Sequence, residues 1–305
     1  MSNILITGGN GLLGSPLVKN LNADTFSSKE CDLITDSLET YINDRYKENI
    51  PNTIIHCAAK VGGVGANLNN NLQFFKDNTK IDYNVLTSCL ELNIENIVTI
   101  LSTCVFPDIV EYPLTADKLD LGPPHQSNYG YAYAKRLLAY QTKIYRNVIK
   151  KNWISIVPTN LYGPKDNFDL ENSHLVPALI RKGYEASRSG DNFNVWGDGS
   201  PLRQFVYSED MSPIIEWALN NWNQEKPLMA INEKEYSIKD VVNIVSDRFN
   251  IPDSKIIYDT TKPLGQLRKP AKTDVAWFNF TPLEEGINKS IDWFIENYET
   301  SQIRL

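Results

Sequence analysis

Three glycines follow the first apolar run of the chain at a regular spacing. The run Ile4-Leu5-Ile6 ends just before Gly8-x-x-Gly11-x-x-Gly14, where a segment of helical periodicity begins. Glycines between a strand and a helix allow a tight turn and a close approach of the backbone to a pyrophosphate at the helix N-terminus. The spacing also occurs in ordinary turns, but its place at the first strand-to-helix junction indicates a dinucleotide-binding fold.

Short apolar runs alternate with longer helix-like segments over the first half of the chain. Strands are predicted at 3–7, 24–28, 52–59, 96–104 and 153–161, and helices at 11–22, 36–48, 69–93 and 131–150. Apolar strands separated by helices are typical of a parallel sheet covered on both faces. We therefore predict an α/β protein with a Rossmann-type doubly wound parallel sheet.

The character of the chain changes after about residue 165, where loops rich in Asp, Asn and Gly interrupt shorter elements. We predict a dinucleotide-binding Rossmann domain at 1–165, to which part of 203–225 returns. Residues 166–305 then form a smaller C-terminal α/β substrate domain that closes over the carboxyl edge of the sheet.

Composition excludes several classes of partner. The net charge is −7 and no dense Lys/Arg cluster is present, which argues against nucleic acid. Cys31, Cys57, Cys89 and Cys104 have neither metal-ligand nor disulfide-framework spacing, so we expect no metal and a reducing compartment. No apolar run approaches the roughly 18 residues that span a bilayer, and the N-terminus lacks a signal-peptide pattern. These features predict a cytoplasmic protein without membrane contact.

A tyrosine, a lysine and a serine form the central catalytic candidate. Tyr131 and Lys135 are four residues apart on a predicted helix, so the ammonium can lower the pKa of the phenol from its ordinary value of about 10. Ser102 closes an upstream apolar run and can hydrogen-bond the carbonyl oxygen that the phenol protonates. Tyr129 and Tyr133 flank the motif, but only Tyr131 has a lysine four residues later. The set predicts hydride transfer between a nicotinamide and a carbonyl.

The end of the second strand, Phe26-Ser27-Ser28-Lys29, bears on the choice of cofactor. NAD sites prefer a carboxylate there, whereas a 2′-phosphate requires hydroxyls and a cation. Ser28 and Lys29 therefore favour NADPH; the alternative is a solvated turn with a surface lysine.

The third strand ends in His56-Cys57-Ala58-Ala59-Lys60. The small residues would let the dinucleotide lie against the backbone. Lys60 is either a ligand or a surface charge, and His56 is more typical of a hydrogen-bonded histidine beneath the site than of a catalyst.

Longer stretches resemble an extended short-chain dehydrogenase/reductase, and specifically the GDP-L-fucose synthase family. The resemblance spans nearly the whole chain and rests on residues 58–64, 102–107, 128–135, 158–168, 173–179, 195–199, 203–205 and 268–269. Pro158-Thr159-Asn160-Leu161-Tyr162-Gly163-Pro164-Lys165-Asp166-Asn167-Phe168 and Ser173-His174 are far more specific than the glycines of the superfamily.

The resemblance implies a reaction. The family reduces the 4-keto group of a GDP-4-keto-6-deoxy-sugar after epimerising C3 and C5. It implies that Tyr131 protonates the alkoxide, that Ser102 hydrogen-bonds it, and that Lys135 tunes Tyr131 and holds the nicotinamide ribose. Cys104 and His174 match the epimerisation pair, a thiolate that removes a proton and an imidazole that returns one. Dehydration is rejected, because Thr103-Cys104 stands where the related dehydratases carry Asp-Glu.

The resemblance also implies binding residues and an assembly. The predicted NADPH-binding residues are Gly8, Asn10, Gly11, Leu12, Leu13, Gly14, Ser28, Lys29, Asp32, Leu33, Ala58, Ala59, Lys60, Tyr131, Lys135, Pro158, Asn160 and Leu161. The predicted GDP-sugar-binding residues are Thr103, Asn160, His174, Lys182, Trp196, Arg203 and Lys269, with Arg181 an equal candidate to Lys182. Extended reductases often form homodimers through the two long helices, here at 69–93 and 131–150.

Some positions depart from the family pattern. Asn10 and Lys29 stand where some members have arginines for the 2′-phosphate, and Leu264 replaces a polar residue close to the substrate. The apolar Leu264 favours a bulkier sugar, such as a 6-deoxy-heptose or its O-methyl derivative. One alternative is therefore a 4-reductase of such a heptose without epimerase activity. A remote alternative is a non-catalytic redox sensor, although such proteins usually lack the Tyr or Lys that this chain keeps.

Overall fold

The computed structural model describes residues 3–261, 266–300 and 303–305, with the side chain of Val64 excepted. In chain order, the strands are β1 (Ile4–Thr7), β2 (Asp24–Thr25), β3 (Thr53–His56), β4 (Asn96–Ile100), β5 (Asn152–Pro158), β6 (Asn160–Tyr162), β7 (Phe193–Trp196), β8 (Leu202–Tyr207), β9 (Leu228–Ala230), β10 (Glu235–Ser237) and β11 (Ile256–Asp259). The α-helices are α1 (Gly14–Asn20), α2 (Leu38–Tyr46), α3 (Val64–Asn69), α4 (Asn71–Glu91), α5 (Tyr129–Ile149), α6 (Leu175–Ser189), α7 (Met211–Asn221), α8 (Ile238–Phe249) and α9 (Leu283–Asn297).

A six-stranded parallel sheet has the order β2-β1-β3-β4-β5-β9. The chain leaves β1 towards β2 and then returns to the other side of β1 as β3, so the strand order reverses between β1 and β3. Ligands of doubly wound folds bind in the crevice at the carboxyl ends of the strands beside such a reversal. The register pairs Thr7 with His56, which brings the ends of β1 and β3 together there.

Neighbouring residues of each central strand pack into different cores. Leu5 belongs to one buried cluster, with side chains from α2, α4 and α5, whereas Ile6 belongs to another, with Leu17 of α1 and Ile214 of α7. Successive side chains of a strand point to opposite faces, so the apolar runs supply both faces of the sheet. The predicted α/β class and doubly wound parallel sheet are confirmed.

The rest of the chain adds two small sheets, β10-β8-β6 and β11-β7, and a third apolar cluster. This cluster joins residues of α6, α8 and α9, including Val241 and Ile291. Helix α7 packs on the core of the large sheet, and β9, which the sequence analysis did not predict, is the sixth strand of that sheet. The assignment of 1–165 and 166–305 to cofactor and substrate stays a prediction.

The predicted strands extended too far at their carboxyl ends. β2 ends at Thr25, β3 at His56, β4 at Ile100 and β5 at Pro158. Beyond β4, the Ser102 hydroxyl accepts a hydrogen bond from the Cys104 amide, and Thr103–Val105 form a 3₁₀ turn. Side-chain hydrogen bonds of this kind compete with a strand ladder and end it. Among the described residues, none of the helices combines the length and apolarity that crossing a bilayer requires.

Candidate active site

The glycine turn fits a dinucleotide. Gly8 has φ +70°, and a Cβ there would lie 2.8 Å from the Ala58 backbone, so only glycine lets the ends of β1 and β3 approach this closely. A Cβ at Gly14 would overlap the Gly8 carbonyl oxygen. At Gly11, by contrast, a Cβ would meet only that oxygen, at 3.4 Å, so this side of the turn is open to a phosphate. Leu12 is half-buried and Leu13 lies in the core.

A buried chain of hydrogen bonds joins the strand ends beneath this turn. The Ala58 amide donates to Thr7 Oγ1 at 3.2 Å, and Thr7 Oγ1 lies 2.7 Å from His56 Nδ1. His56 Nε2 lies 2.9 Å from Asp82 Oδ1, and the Lys135 ammonium donates to the same oxygen at 3.3 Å. His56 is therefore a hydrogen-bonded histidine beneath the site, as predicted.

The candidate phenol lies in the first turn of α5. A Cβ at Gly130 would overlap the Asn71 carbonyl oxygen, so glycine lets the start of α5 approach α4 closely. Tyr131 is half-buried. Burial raises the pKa of Tyr131 well above its usual range, and the negative charges of Cys104 and Asp82 raise it further. The lowering that the sequence predicts from Lys135 is therefore wrong for the net shift, because desolvation of the phenol outweighs it. The phenol thus keeps its proton at neutral pH and is suited to be an acid.

The 3₁₀ turn after β4 presents Ser102, Thr103 and Cys104. Arg136, which is buried on α5, donates from Nε to the Val105 carbonyl oxygen at 2.8 Å and so holds this turn against the helix. Burial raises the pKa of the Cys104 thiol, while the Ser102 hydrogen bond and the Lys269 and Lys135 charges oppose the increase. Ser102, Cys104, Tyr131 and Lys135 therefore share one electrostatic environment.

Two cations, Lys269 and Arg203, lie near each other, and Lys269 is close to Cys104. Burial lowers the pKa of Lys269 and of Arg203. Within the described part of the chain, neither forms a salt bridge, and Arg203 donates only to the Leu202 carbonyl oxygen, at 2.8 Å. Gln204 holds the Lys269 segment in place, because its side-chain oxygen accepts from the Ala271 amide at 2.8 Å. Half-buried cations that form no salt bridge are suited to bind a diphosphate.

His174 lies at the start of α6 and makes no side-chain capping hydrogen bond. Its ring is accessible to solvent, yet the surrounding protein lowers its pKa by desolvation. Both observations fit a side chain inside a cleft. A Cβ at Gly63 would overlap the Ser173 carbonyl oxygen, so the His174 segment packs on the loop after β3. Lys182 and Trp196, both predicted to bind the sugar nucleotide, contact each other: the Lys182 ammonium lies 5.0 Å from the centre of the Trp196 ring, a cation–π contact.

The predicted 2′-phosphate segment lies in an exposed turn after β2. Asn10, Ser28 and Lys29 are exposed. Arg45 of α2 adds a cation that the sequence analysis missed: Nη1 donates to the Thr25 carbonyl oxygen at 3.2 Å and lies 3.7 Å from Glu30. No motif marks Arg45, because it reaches this turn from the next helix.

The other predicted cofactor residues lie at or near the carboxyl edge. Asp32 Oδ1 accepts from the Ile34 amide at 3.0 Å and closes its own turn, and Leu33 is buried. Lys60 pairs with Asp77 at 2.6 Å. Ala59 follows Ala58, and the remaining residues are Pro158 at the end of β5 and Asn160 and Leu161 in β6. Leu264 lies outside the described residues.

Comparisons with known proteins decide the family. The profile of the NAD dependent epimerase/dehydratase family matches residues 4–232. GDP-L-fucose synthase of Dictyostelium discoideum is 38% identical, over 98% of this chain and 97% of the relative. Probable GDP-L-fucose synthase of Drosophila melanogaster is 36% identical, over 99% and 100%. The chain belongs to the NAD dependent epimerase/dehydratase family and, within it, to the GDP-L-fucose synthase family.

A solved structure of the GDP-L-fucose synthase family extends the match to three dimensions. The crystal structure of a GDP-L-fucose synthetase from Naegleria fowleri bound to NADP matches with a TM-score of 0.87 and 37% identity, covering 99% of this chain and 96% of that one. The predicted family is thus confirmed. The individual site roles taken from the GDP-L-fucose synthase family remain predictions.

Proposed function

We propose that the protein reduces the 4-keto group of a GDP-4-keto-6-deoxy-sugar with NADPH, after epimerisation at C3 and C5. The observation that carries the proposal is a cluster that combines a protonated phenol, a thiol and two half-buried cations, neither of which forms a salt bridge within the described residues. The phenol and thiol suit proton transfer beside a ketone, and the cations suit a diphosphate. The GDP-L-fucose synthase relatives support a GDP-linked sugar.

The fold supports an assignment of the residues that would hold the cofactor. The turn at Gly8, Gly11 and Gly14 would hold the pyrophosphate, Lys135 the nicotinamide ribose, and the segment with Ser28 and Lys29 the 2′-phosphate. When bound, NADPH supplies the hydride that reduces C4. The NADP-bound relative supports this choice of cofactor.

Residues of this chain carry out the proton transfers. Cys104, as the thiolate, takes a proton from the carbon beside the ketone and becomes the thiol, and His174, as the imidazolium, gives a proton to the other face and becomes neutral. Tyr131 then donates its phenolic proton to the alkoxide oxygen that forms at C4, while Ser102 donates a hydrogen bond to that oxygen. The raised pKa of Tyr131 keeps this proton available, and the Lys135 ammonium stabilises the phenolate left behind.

Turnover of a matched pair of tyrosine variants tests the reductase. Purified protein is mixed with NADPH and GDP-4-keto-6-deoxy-mannose, then with related GDP-keto-heptoses, and loss of the nicotinamide absorbance is followed. Tyr131→Phe should reduce kcat by about 10²-fold or more, because general acid catalysis is lost. Tyr133→Phe, two residues along the same helix, should leave kcat within about twofold. No oxidation with any of these sugars would reject the proposal, and full turnover by Tyr131→Phe would favour a different acid or a sensor role.

Epimerisation is tested separately in heavy water. If Cys104 exchanges a ring proton, the product carries deuterium at C3 or C5, and Cys104→Ser should lose the label while retaining reduction. An unlabelled wild-type product would instead establish the dedicated 4-reductase. The sugar panel distinguishes a hexose from a heptose substrate. In the sequence, the apolar Leu264 favours the heptose.

We also propose a cytoplasmic homodimer, in which residues 166–305 hold the nucleotide sugar. Helices α4 and α5 pack together and expose large apolar side chains, including Tyr83 at 56%, Ile144 at 56% and Val148 at 75%. An apolar face of this kind is typical of a self-complementary interface. Ile144→Glu with Val148→Glu should convert a dimer to a monomer in analytical ultracentrifugation. A monomeric wild-type protein would contradict the assembly.

A further inference from the structure

A buried carboxylate lies behind the candidate lysine. Asp82 of α4 is 1% exposed and Lys135 of α5 is 2% exposed. Their side chains are joined at 3.3 Å. Among the described residues, Lys135 Nζ has no other hydrogen-bond or ion-pair partner. A buried ammonium without an opposite charge would be strongly disfavoured, and Asp82 supplies that opposite charge.

The position of Asp82 is fixed from its other side. Burial lowers the pKa of His56, so the ring is neutral. The contact of Nε2 with the Asp82 carboxylate then requires the proton on Nε2, and Nδ1 must accept from the Thr7 hydroxyl. Thr7 Oγ1 in turn accepts from the Ala58 amide. A single orientation of the His56 ring and of the Thr7 hydroxyl is compatible with all of these hydrogen bonds. The series begins at the ends of β1 and β3, under the predicted dinucleotide.

We propose that Asp82, held by His56 and Thr7, is a positioning residue that balances the charge of Lys135 and fixes it one helical turn from Tyr131 on α5. This inference rests on the proposed reductase function. The groups facing the pair are His56 at the end of β3, Cys57 just after it, Cys104 of the 3₁₀ turn and Tyr131 of α5. Since Asp82 carries a negative charge close to Tyr131, it also helps the phenol to keep its proton.

The pH profile of ketone reduction distinguishes positioning from mere structural support. Asp82→Asn removes the charge while keeping a similar shape. We expect kcat to fall about tenfold or more, and the alkaline limb of kcat against pH to move down by about one pH unit. The direction follows because the change removes a negative charge near Tyr131, so the phenol loses its proton at lower pH.

Two variants make the result specific. Asp82→Glu restores the charge and should return the alkaline limb towards that of the wild type. Asp210→Asn removes another buried carboxylate, one that accepts from the Thr281 hydroxyl and amide, and should leave the limb in place even if it lowers stability. A reduced kcat with an unmoved limb in Asp82→Asn would overturn the positioning role.

A double-mutant cycle of thermal stability tests the Asp82–Lys135 pairing independently of catalysis. Melting temperatures are compared for the wild type, Asp82→Asn, Lys135→Met and the double variant. If Asp82 compensates Lys135, Asp82→Asn should lower the melting temperature less in the Lys135→Met background than in the wild type. Equal losses in both backgrounds would overturn the inference. If the wild-type protein reduces none of the sugars but the two substitutions remain coupled in melting temperature, the proposed function is rejected and the Asp82–Lys135 pairing stands.

Discussion

Asp166 should make the stability of this protein decrease as pH rises. It follows Lys165 in the loop after β6 and is 4% exposed. Oδ1 accepts from the Asn167 amide at 2.7 Å, whereas Oδ2 has no partner among the described residues. Burial raises the pKa of Asp166 from 3.8 to about 7, although the Asn167 amide and Arg304 oppose this. The folded protein therefore retains a proton that the unfolded chain has lost.

The sign and size of the effect follow from proton linkage. Between about pH 4 and pH 7, the native state binds more protons at Asp166 than the unfolded state, so the free energy of unfolding falls as pH rises. The full difference corresponds to about 4 kcal/mol above pH 7, at 1.36 kcal/mol per pH unit. From pH 5.5 to pH 8.5 the change is about 2 kcal/mol. Asp166→Asn cannot ionise and should lose this dependence.

The assay measures a difference between proteins at each pH. Urea unfolding of the wild type and Asp166→Asn is followed from pH 5.5 to 8.5, with circular dichroism and tryptophan fluorescence required to give one midpoint. The free-energy advantage of the variant should grow by about 2 kcal/mol over this range. Asp44→Asn, which changes an exposed carboxylate of α2, should give a constant difference. A constant or shrinking advantage for Asp166→Asn would refute the reasoning.

Two further substitutions test the binding surfaces. Gly14→Ala should weaken NADPH binding at least about tenfold in fluorescence titrations, because its Cβ would overlap the Gly8 carbonyl oxygen; Gly65→Ala, whose Cβ would meet nothing within 4 Å, should not, and equal affinities would contradict the close turn. Lys269→Met should raise the KM for the GDP-sugar about tenfold to a hundredfold with a smaller effect on kcat, since a charged hydrogen bond contributes about 1.5–3 kcal/mol. Exposed Lys272→Met is its control, and an unchanged KM would exclude the diphosphate contact.

The glycine turn and the Tyr131–Lys135 pair were predictable because both are encoded locally. A turn of fixed spacing needs glycine at particular positions, and two residues four apart share one helix face. The parallel sheet was also predictable, because its central strands are continuous apolar runs in the sequence. Strand β9 was missed, since its three residues, Leu228–Ala230, are too few to show a period and join the sheet only through β5.

Asp82 could not be recognised from the sequence. It contacts His56, 26 residues earlier, and Lys135, 53 residues later. On a helix of mixed polarity, a carboxylate is indistinguishable from one on a solvated face until the packing of α4 against α5 is known. Arg45 was missed for the same reason. Sequence patterns identify residues that act together within one helix or turn. Residues that act on a different helix or strand can be recognised only when the fold is known.

The arrangement of Cys104 and Tyr131 constrains the order of the proposed steps. Burial raises the pKa of both groups, and the charge of Cys104 raises that of Tyr131 further. A thiolate and a phenolate side by side would repel each other strongly in this cleft, so the site accommodates one anion at a time. While Cys104 is the thiolate base, Tyr131 must keep its proton. Once Cys104 has taken a proton from the sugar, Tyr131 can give up its own, with Lys135 one helical turn away on α5. We therefore expect epimerisation to precede reduction, because proton uptake by Cys104 removes the negative charge that would oppose loss of the Tyr131 proton.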